Sequence, residues 1–154
     1  MPVISYRAII DPDVMKRYNP SKTEFQLLLI AYLNSPDGWT QDGYSFVETT
    51  DSPRVVIRLS SSSTVEKVCG ISPNLSCAEL GGRNMYLNAE RWFKGAAKSG
   101  HDLENYRQYM VSHEMGHILG KGHSKCPHIG SLAPIMLQQT LGLHGCLPNT
   151  NVKK

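Results

Sequence analysis

Eleven consecutive residues, His113–His123, constrain this chain more than any other part of its sequence. They read His-Glu-Met-Gly-His-Ile-Leu-Gly-Lys-Gly-His, which is the pattern H-E-x-x-H-x-x-G-x-x-H. Residues four apart on an α-helix lie on the same face. If the segment is helical, His113 and His117 can therefore offer two imidazoles to one metal ion.

The residues before this motif favour a helix from Asp102 to Leu119. Asp102 is a residue type that caps helix N-termini, and Gly120 can end a helix in the left-handed conformation. Between them, a stripe recurs at the spacing of a helix face that packs on a core. Its members are Leu103, Tyr106, Met110, His113 and His117. We therefore expect both histidines to point inward, into a cleft.

The third histidine of the motif, His123, follows the glycine at which this helix should end. A turn at Gly120 would bring His123 back toward the other two, because glycine adopts positive φ at little cost. No Asp or Glu follows Glu114 in the chain, so a carboxylate ligand from further along has no candidate. Three histidines with a fourth position open are typical of catalytic zinc. The sequence predicts one zinc ion held by His113, His117 and His123.

Glu114 follows the first of these histidines and lies about 100° further round the helix. From there its carboxylate can bond a water molecule at the metal without being a ligand, so we assign it the role of general base. The alternative is a closed, structural site. Its fourth ligand would come from His128, His144 or one of the late cysteines, Cys126 and Cys146.

The extended motif resembles that of the metzincin clan of zinc metallopeptidases. Metzincins carry a methionine-bearing turn beneath the metal after the third histidine, and Met136, in Pro134-Ile135-Met136, stands where that turn is expected. The alternative is that Met136 is an ordinary core residue. The segments 106–109 and 135–143 are most similar to a poorly characterised group of small bacterial zincin-like domains.

This resemblance implies an α+β, zincin-like fold with a mixed sheet, an N-terminal backing helix and a long active-site helix. Residues 1–154 would form one catalytic domain, divided into an N-terminal subdomain of about 1–120 and a very small C-terminal subdomain of about 121–154. The implied function is a zinc-dependent metalloendopeptidase, in which Glu114 moves the proton of a zinc-activated water that attacks a peptide carbonyl. The implied partner is a peptide or protein substrate.

The resemblance also places an edge strand that pairs with extended substrate just before the active-site helix. Met85, Tyr86 and Leu87 occupy that place, and pairing would be main chain to main chain. The alternative is a buried strand with no ligand contact. Some metzincins have an oxyanion-stabilising tyrosine two residues after the turn methionine, where this chain has Gln138. Other residues able to donate to the oxyanion are Tyr86, Gln139, His128 and His144, and the sequence selects none of them.

The remaining sequence predicts further strands and helices. Residues 3–10, 44–49 and 54–59 have the composition of strands, and the apolar run at 55–57 indicates burial on both faces. The capping boxes that start at Ser21 and Ser63 predict helices, the second of which should end at Gly70. A short helix is expected near 135–141.

Four cysteines allow three pairings into two disulfide bonds. We favour Cys69–Cys77 and Cys126–Cys146, because closing a short loop costs the least chain entropy. Four thiols in a reducing compartment are the alternative. The cysteines and the resemblance favour a secreted or cell-surface location, whereas residues 1–10 lack a signal-peptide pattern, so the compartment stays open.

Composition excludes several classes of function. The net charge of +3 is spread along the chain without a basic block, so we expect no nucleic-acid partner. The longest apolar run, 27–33, falls far short of the roughly 20 residues that span a bilayer. We expect a monomer. The rival functions are a non-catalytic binding module with a structural zinc, and a zinc hydrolase of a non-peptide amide.

Overall fold

The computed structural model describes residues 2–154, which form an α+β fold around a mixed, five-stranded sheet. The strands are β1 (Val3–Ile10), β2 (Ser45–Glu48), β3 (Val55–Ser60), β4 (Cys77–Ala78) and β5 (Asn84–Asn88). The α-helices are α1 (Pro12–Tyr18), α2 (Lys22–Leu33), α3 (Ser62–Cys69), α4 (Ala89–Lys94) and α5 (Leu103–Ile118). Short 3-10 turns cover Trp39–Asp42, Ala97–Ser99 and Gln139–Leu141. The predicted α+β class is confirmed.

The sheet has the strand order β2-β1-β3-β5-β4. Strands β2, β1, β3 and β5 run parallel, and β4 is antiparallel to β5. Strand β3 lies at the centre, and all its residues except Arg58 are buried. The prediction of a strand buried on both faces is therefore confirmed, since a central parallel strand is covered on both sides.

The expected edge strand is in a different place. Met85, Tyr86 and Leu87 form a strand as predicted, but it is β5, which is paired with β3 on one side and β4 on the other. The prediction that these three residues lie at an edge is wrong. The edge is β4, only two residues long, and so short a strand leaves no periodicity in the sequence.

The N-caps of three helices can be compared with those that the sequence predicts. The Ser21 hydroxyl accepts the Glu24 N–H at 3.1 Å, as predicted for α2. Asp102 likewise caps α5 by accepting the Asn105 N–H at 2.8 Å. Helix α3 begins earlier than expected, because Ser61 rather than Ser63 is its cap. Successive serines offer equivalent caps, so the sequence could not separate them.

The expected helix over 135–141 is reduced to the turn Gln139–Leu141. The Tyr109 hydroxyl explains the difference, because it donates to the Leu137 carbonyl at 3.1 Å and accepts the Gln139 N–H at 2.9 Å. These backbone groups are therefore bonded to a side chain on α5 rather than to a helix of their own.

Helix α5 is buried on most of its circumference and packs against α2, α4, β4 and β5. Trp39, itself buried, donates its indole N–H to the Ser112 carbonyl of α5 at 2.8 Å. Helix α5 has 16 residues. No helix formed by residues 2–154 is long and apolar enough to cross a membrane. The first two histidines of the motif thus lie on a largely buried helix.

Both predicted disulfide pairings are present. The Cα atoms of Cys69 and Cys77 are 6.4 Å apart, and those of Cys126 and Cys146 are 5.8 Å apart. The first bond joins the end of α3 to β4, and the second closes a loop in the segment after α5. The alternative of four free thiols is wrong for this structure.

Candidate metal centre

The structure brings the three histidines of the motif together. Their ligand nitrogens all lie within 4.8 Å of one another, and the Nε2 atoms of His117 and His123 are 3.2 Å apart. Nitrogens that share a tetrahedral zinc ion at its usual bond length lie about 3.4 Å apart. The spacing of His113, His117 and His123 therefore fits one metal ion of this size.

Backbone carbonyls orient two of the three imidazole rings. His113 Nδ1 is 2.8 Å from the Ile135 carbonyl oxygen, and His117 Nδ1 is 2.7 Å from that of Lys121. A carbonyl only accepts, so each Nδ1 carries the hydrogen and each Nε2 keeps its lone pair. This is the outer-shell arrangement that fixes metal-binding histidines in other proteins.

Burial favours the neutral form of two candidate ligands, His113 and His123. It lowers the pKa of His113 to about 3, against an ordinary value near 6.5. Partial burial, and then the charge of His117, also lower the pKa of His123. Because a metal competes with protons for the imidazole nitrogen, a lowered pKa favours metal binding at neutral pH.

Gly120 makes the turn that carries His123 back. Its φ is +93°, and nothing lies within 4 Å of where a Cβ would stand, so the backbone angle rather than space requires glycine. The Lys121 N–H bonds the Gly116 carbonyl at 2.9 Å and closes the turn. This turn also supplies the Lys121 carbonyl that orients His117. The predicted end of the helix is confirmed.

A turn that contains Met136 lies against the helix beneath the histidines. The Leu137 N–H bonds the Pro134 carbonyl at 2.9 Å, and the Ile135 carbonyl between them orients His113. Met136 is 5% exposed. Its carbonyl accepts the Ser124 N–H at 2.9 Å, which ties the residue after His123 to the same turn.

Gly116 is a site residue that sequence reasoning missed. A Cβ there would collide with Met136 Sδ and stand 3.0 Å from Trp39 Cζ2. The glycine therefore lets the methionine turn approach the helix between the two histidines. The motif pattern leaves this position free, and only the close approach of another segment shows why it is small.

Glu114 lies beside the histidines without a partner of its own. It is 5% exposed, and its Oε1 lies 4.0 Å from His117 Nε2. Among the described residues, Oε1 has no hydrogen-bond partner. Burial raises the pKa of this carboxyl to about 8. Buried carboxyl oxygens are normally paired, so this one fits a site that also holds a water molecule or an ion.

Two cavities lie on either side of the histidines and share His123 and Gln138. The first, of about 540 Å³, lies among residues after α5 and includes Leu137, Leu141 and His144 in its lining. The second, of about 520 Å³, lies between the histidines and β4. A much smaller cavity of about 10 Å³ contains Glu114. The histidines thus stand in the middle of a cleft.

The true edge strand, β4, borders this cleft. The Glu79 N–H bonds the Asn84 carbonyl at 3.0 Å, and backbone bonds alternate along an antiparallel strand, so Ala78 directs its backbone groups away from β5. The Gly81 N–H bonds the His117 carbonyl at 2.8 Å and fixes the end of β4 against α5. Sequence reasoning missed this strand.

A closed metal site finds no support. Within residues 2–154, the group that could hold a metal ion consists of His113, His117 and His123, without a fourth Cys, His, Asp or Glu. Cys126 and Cys146 are bonded to each other.

Comparison with protein-family models identifies the family of this chain. No curated protein matches the chain. Residues 5–149, most of the chain, match the family model described as a protein of unknown function, DUF3152. The chain therefore belongs to the DUF3152 family.

Proposed function

We propose that this protein is a zinc-dependent metalloendopeptidase with a metzincin-like fold. One observation carries the proposal: three imidazoles, two of them oriented by backbone carbonyls, meet beside a buried glutamate whose Oε1 has no partner among the described residues. A structural site needs no such glutamate. A hydrolytic site needs a base beside the metal.

His113, His117 and His123 would hold the zinc ion. Bound there, zinc would polarise a peptide carbonyl and lower the pKa of a water molecule. Glu114 takes the proton of the attacking water and returns it to the leaving amine nitrogen, as general base and then general acid. The turn at Met136 holds the helix and the histidine rings in place from below.

Two features favour a polypeptide substrate over a small amide. Strand β4 offers outward backbone groups at Ala78, which can pair with an extended chain. The cavities on both sides of the histidines give room for side chains on both sides of a cleaved bond. An internal peptide bond fits this cleft, which supports an endopeptidase.

The proposed division into subdomains follows the cleft. Residues up to about 120 supply the sheet, α5 and two of the histidines, and residues from about 121 supply His123 and the methionine turn. The cleft lies between these two parts. The small C-terminal part is therefore a necessary part of the site.

The test combines metal content with cleavage. Zinc per chain and hydrolysis of an unfolded, fluorescently labelled casein are measured for the parent, for Glu114→Gln and for the control Glu66→Gln, which changes an exposed glutamate on α3. We expect about one zinc in all three and cleavage by the parent and the control only. Cleavage by Glu114→Gln at the parent rate would contradict the role of Glu114. Zinc binding without cleavage by the parent would favour the structural-zinc rival.

A further inference from the structure

Gln138 is the one residue that lines all three cavities around the histidines. The first cavity shares only His123 and Gln138 with the second, and the third brings Gln138 together with His113 and Glu114. A group in this position borders both sides of the cleft and the candidate base at once.

The side chain of Gln138 has no hydrogen-bond partner among the described residues, although the residue is half-buried. The neighbouring Gln139 is the opposite case. It is fully buried, and its amide donates to the Asn149 carbonyl at 3.0 Å. Gln139 is thus part of the protein core, whereas Gln138 lines the cleft.

The backbone on both sides of Gln138 is fixed to the site helix. The Tyr109 hydroxyl bonds the Leu137 carbonyl and the Gln139 N–H, and Tyr109 lies one helical turn before His113. These bonds fix the backbone that carries the Gln138 side chain, so only the side chain has to orient when charge develops nearby.

The other candidate donors are less well placed. Tyr86 lines only the second cavity and His144 only the first. Gln139 is committed to the core, and His128 lines none of the three cavities. The positions of these side chains therefore favour Gln138 among the five candidate donors, which the sequence could not distinguish.

We propose that Gln138 is a catalytic residue whose side-chain N–H donates a hydrogen bond to the oxygen of the scissile carbonyl. This inference rests on the proposed peptidase function. As the water oxygen bonds to the carbonyl carbon, the π electron pair of the carbonyl moves to its oxygen, and Glu114 takes the water's proton. The Gln138 N–H stabilises the resulting negative charge. When the C–N bond breaks, the pair returns and the amine leaves with the proton from Glu114.

Steady-state kinetics test this role on zinc-loaded protein. Gln138→Met keeps the length of the side chain and removes the donor, and Gln26→Met makes the same change on α2, where Gln26 bonds Glu48. Loss of one oxyanion donor lowers kcat by about 10²–10³-fold. We expect such a fall for Gln138→Met, with KM and zinc content near parent values, and parent-like kinetics for Gln26→Met. A kcat near that of the parent, or a rise in KM alone, would overturn the proposal.

Affinity provides a readout that does not depend on turnover. The probe is a phosphinic peptide that copies a cleaved sequence, with a tetrahedral phosphinate in place of the scissile amide. Gln138→Met should weaken phosphinate binding by about the same factor as kcat and leave the affinity of the product peptides unchanged. Equal weakening of both ligands would mean that Gln138 binds substrate without acting on the transition state, and would overturn the catalytic role.

The two proposals fail in different ways. If the parent cleaves no peptide, the peptidase function fails and the role of Gln138 falls with it. If the parent cleaves and Gln138→Met cleaves equally well, only the role of Gln138 falls.

Discussion

The cleft has an upper wall, residues 69–80 with β4, and a lower wall, residues 121–154, and the two are held together by different means. The upper wall is paired with the sheet through the two residues of β4, and none of its residues is buried. The lower wall contains one 3-10 turn, contributes Ile135 and Met136 to the main apolar core, and has a small apolar cluster of its own around Ala133, Leu137 and Cys146. Each wall also has one disulfide bond.

Side-chain hydrogen bonds take the place of regular structure in the lower wall. The buried Asn149 amide donates to the carbonyls of Ala133, Asn151 and Lys154 at 2.9–3.0 Å. Gln139 and Tyr109 satisfy further backbone groups of this segment. The lower wall is therefore held by buried side chains together with individual side-chain hydrogen bonds, whereas the upper wall depends on its disulfide bond and on its bonds to β5.

The upper wall has its own anchor. Asn88, at the end of β5, donates its side-chain amide to the carbonyls of Pro73 and Leu75 at 2.8 and 3.1 Å. Its backbone N–H bonds the Ser76 hydroxyl at 2.9 Å. The loop between Cys69 and Cys77 is thus fastened to the sheet by a residue of an interior strand.

Loss of the candidate ligand whose imidazole bonds the lower wall should have the largest effect. His117 bonds the lower wall through Lys121 and accepts the Gly81 N–H beside β4 through its carbonyl. We expect His117→Ala to lose its zinc and part of its stability, because metal binding and folding are coupled. Zinc analysis after gel filtration, with thermal unfolding, measures both. His128→Ala, which removes a histidine outside the metal-binding group, should retain zinc; parent zinc content in His117→Ala would refute the ligand assignment.

Removing the disulfides one at a time compares the walls directly. Cys126 and Cys146 are 20 residues apart and Cys69 and Cys77 are 8 apart. The chain-entropy relation gives about 3.3 kcal/mol for the longer loop and about 2.5 kcal/mol for the shorter one. The double serine variant of the lower wall should therefore unfold at lower urea concentration than that of the upper wall. Equal midpoints, or the reverse order, would contradict this ranking by loop length.

The smallest expected effect concerns the edge strand. Ala78→Pro removes a backbone N–H that faces away from β5, so pairing within the sheet is kept. Loss of one hydrogen bond to an extended substrate should raise KM by about 2- to 10-fold without changing zinc content. Ala78→Val keeps the N–H and is the control. An unchanged KM in the proline variant would remove β4 from substrate binding.

Much of the site could be read from local sequence, because a helix has fixed periodicity. His113 and His117 are four residues apart and therefore share a face of the helix. Gly120 can adopt the positive φ that ends the helix. The predicted strand β1, the caps at Ser21 and Asp102 and both disulfide pairings are confirmed for the same reason, since each depends on residues close together in the chain.

Other features of the site could not be predicted, because they depend on contacts between segments that are distant in sequence. The Ile135 carbonyl that orients His113 carries no side-chain signal, and Gly116 is small only because Met136 and Trp39 approach it. The edge position went to β4 rather than β5 because strand order is set by packing of the whole sheet. Local sequence is enough to identify the side chains that could bind a metal and to place His113 and His117 on one helix. His123, Glu114 and Gln138 reach the same cleft only in the folded chain, because their approach depends on contacts between segments far apart in sequence.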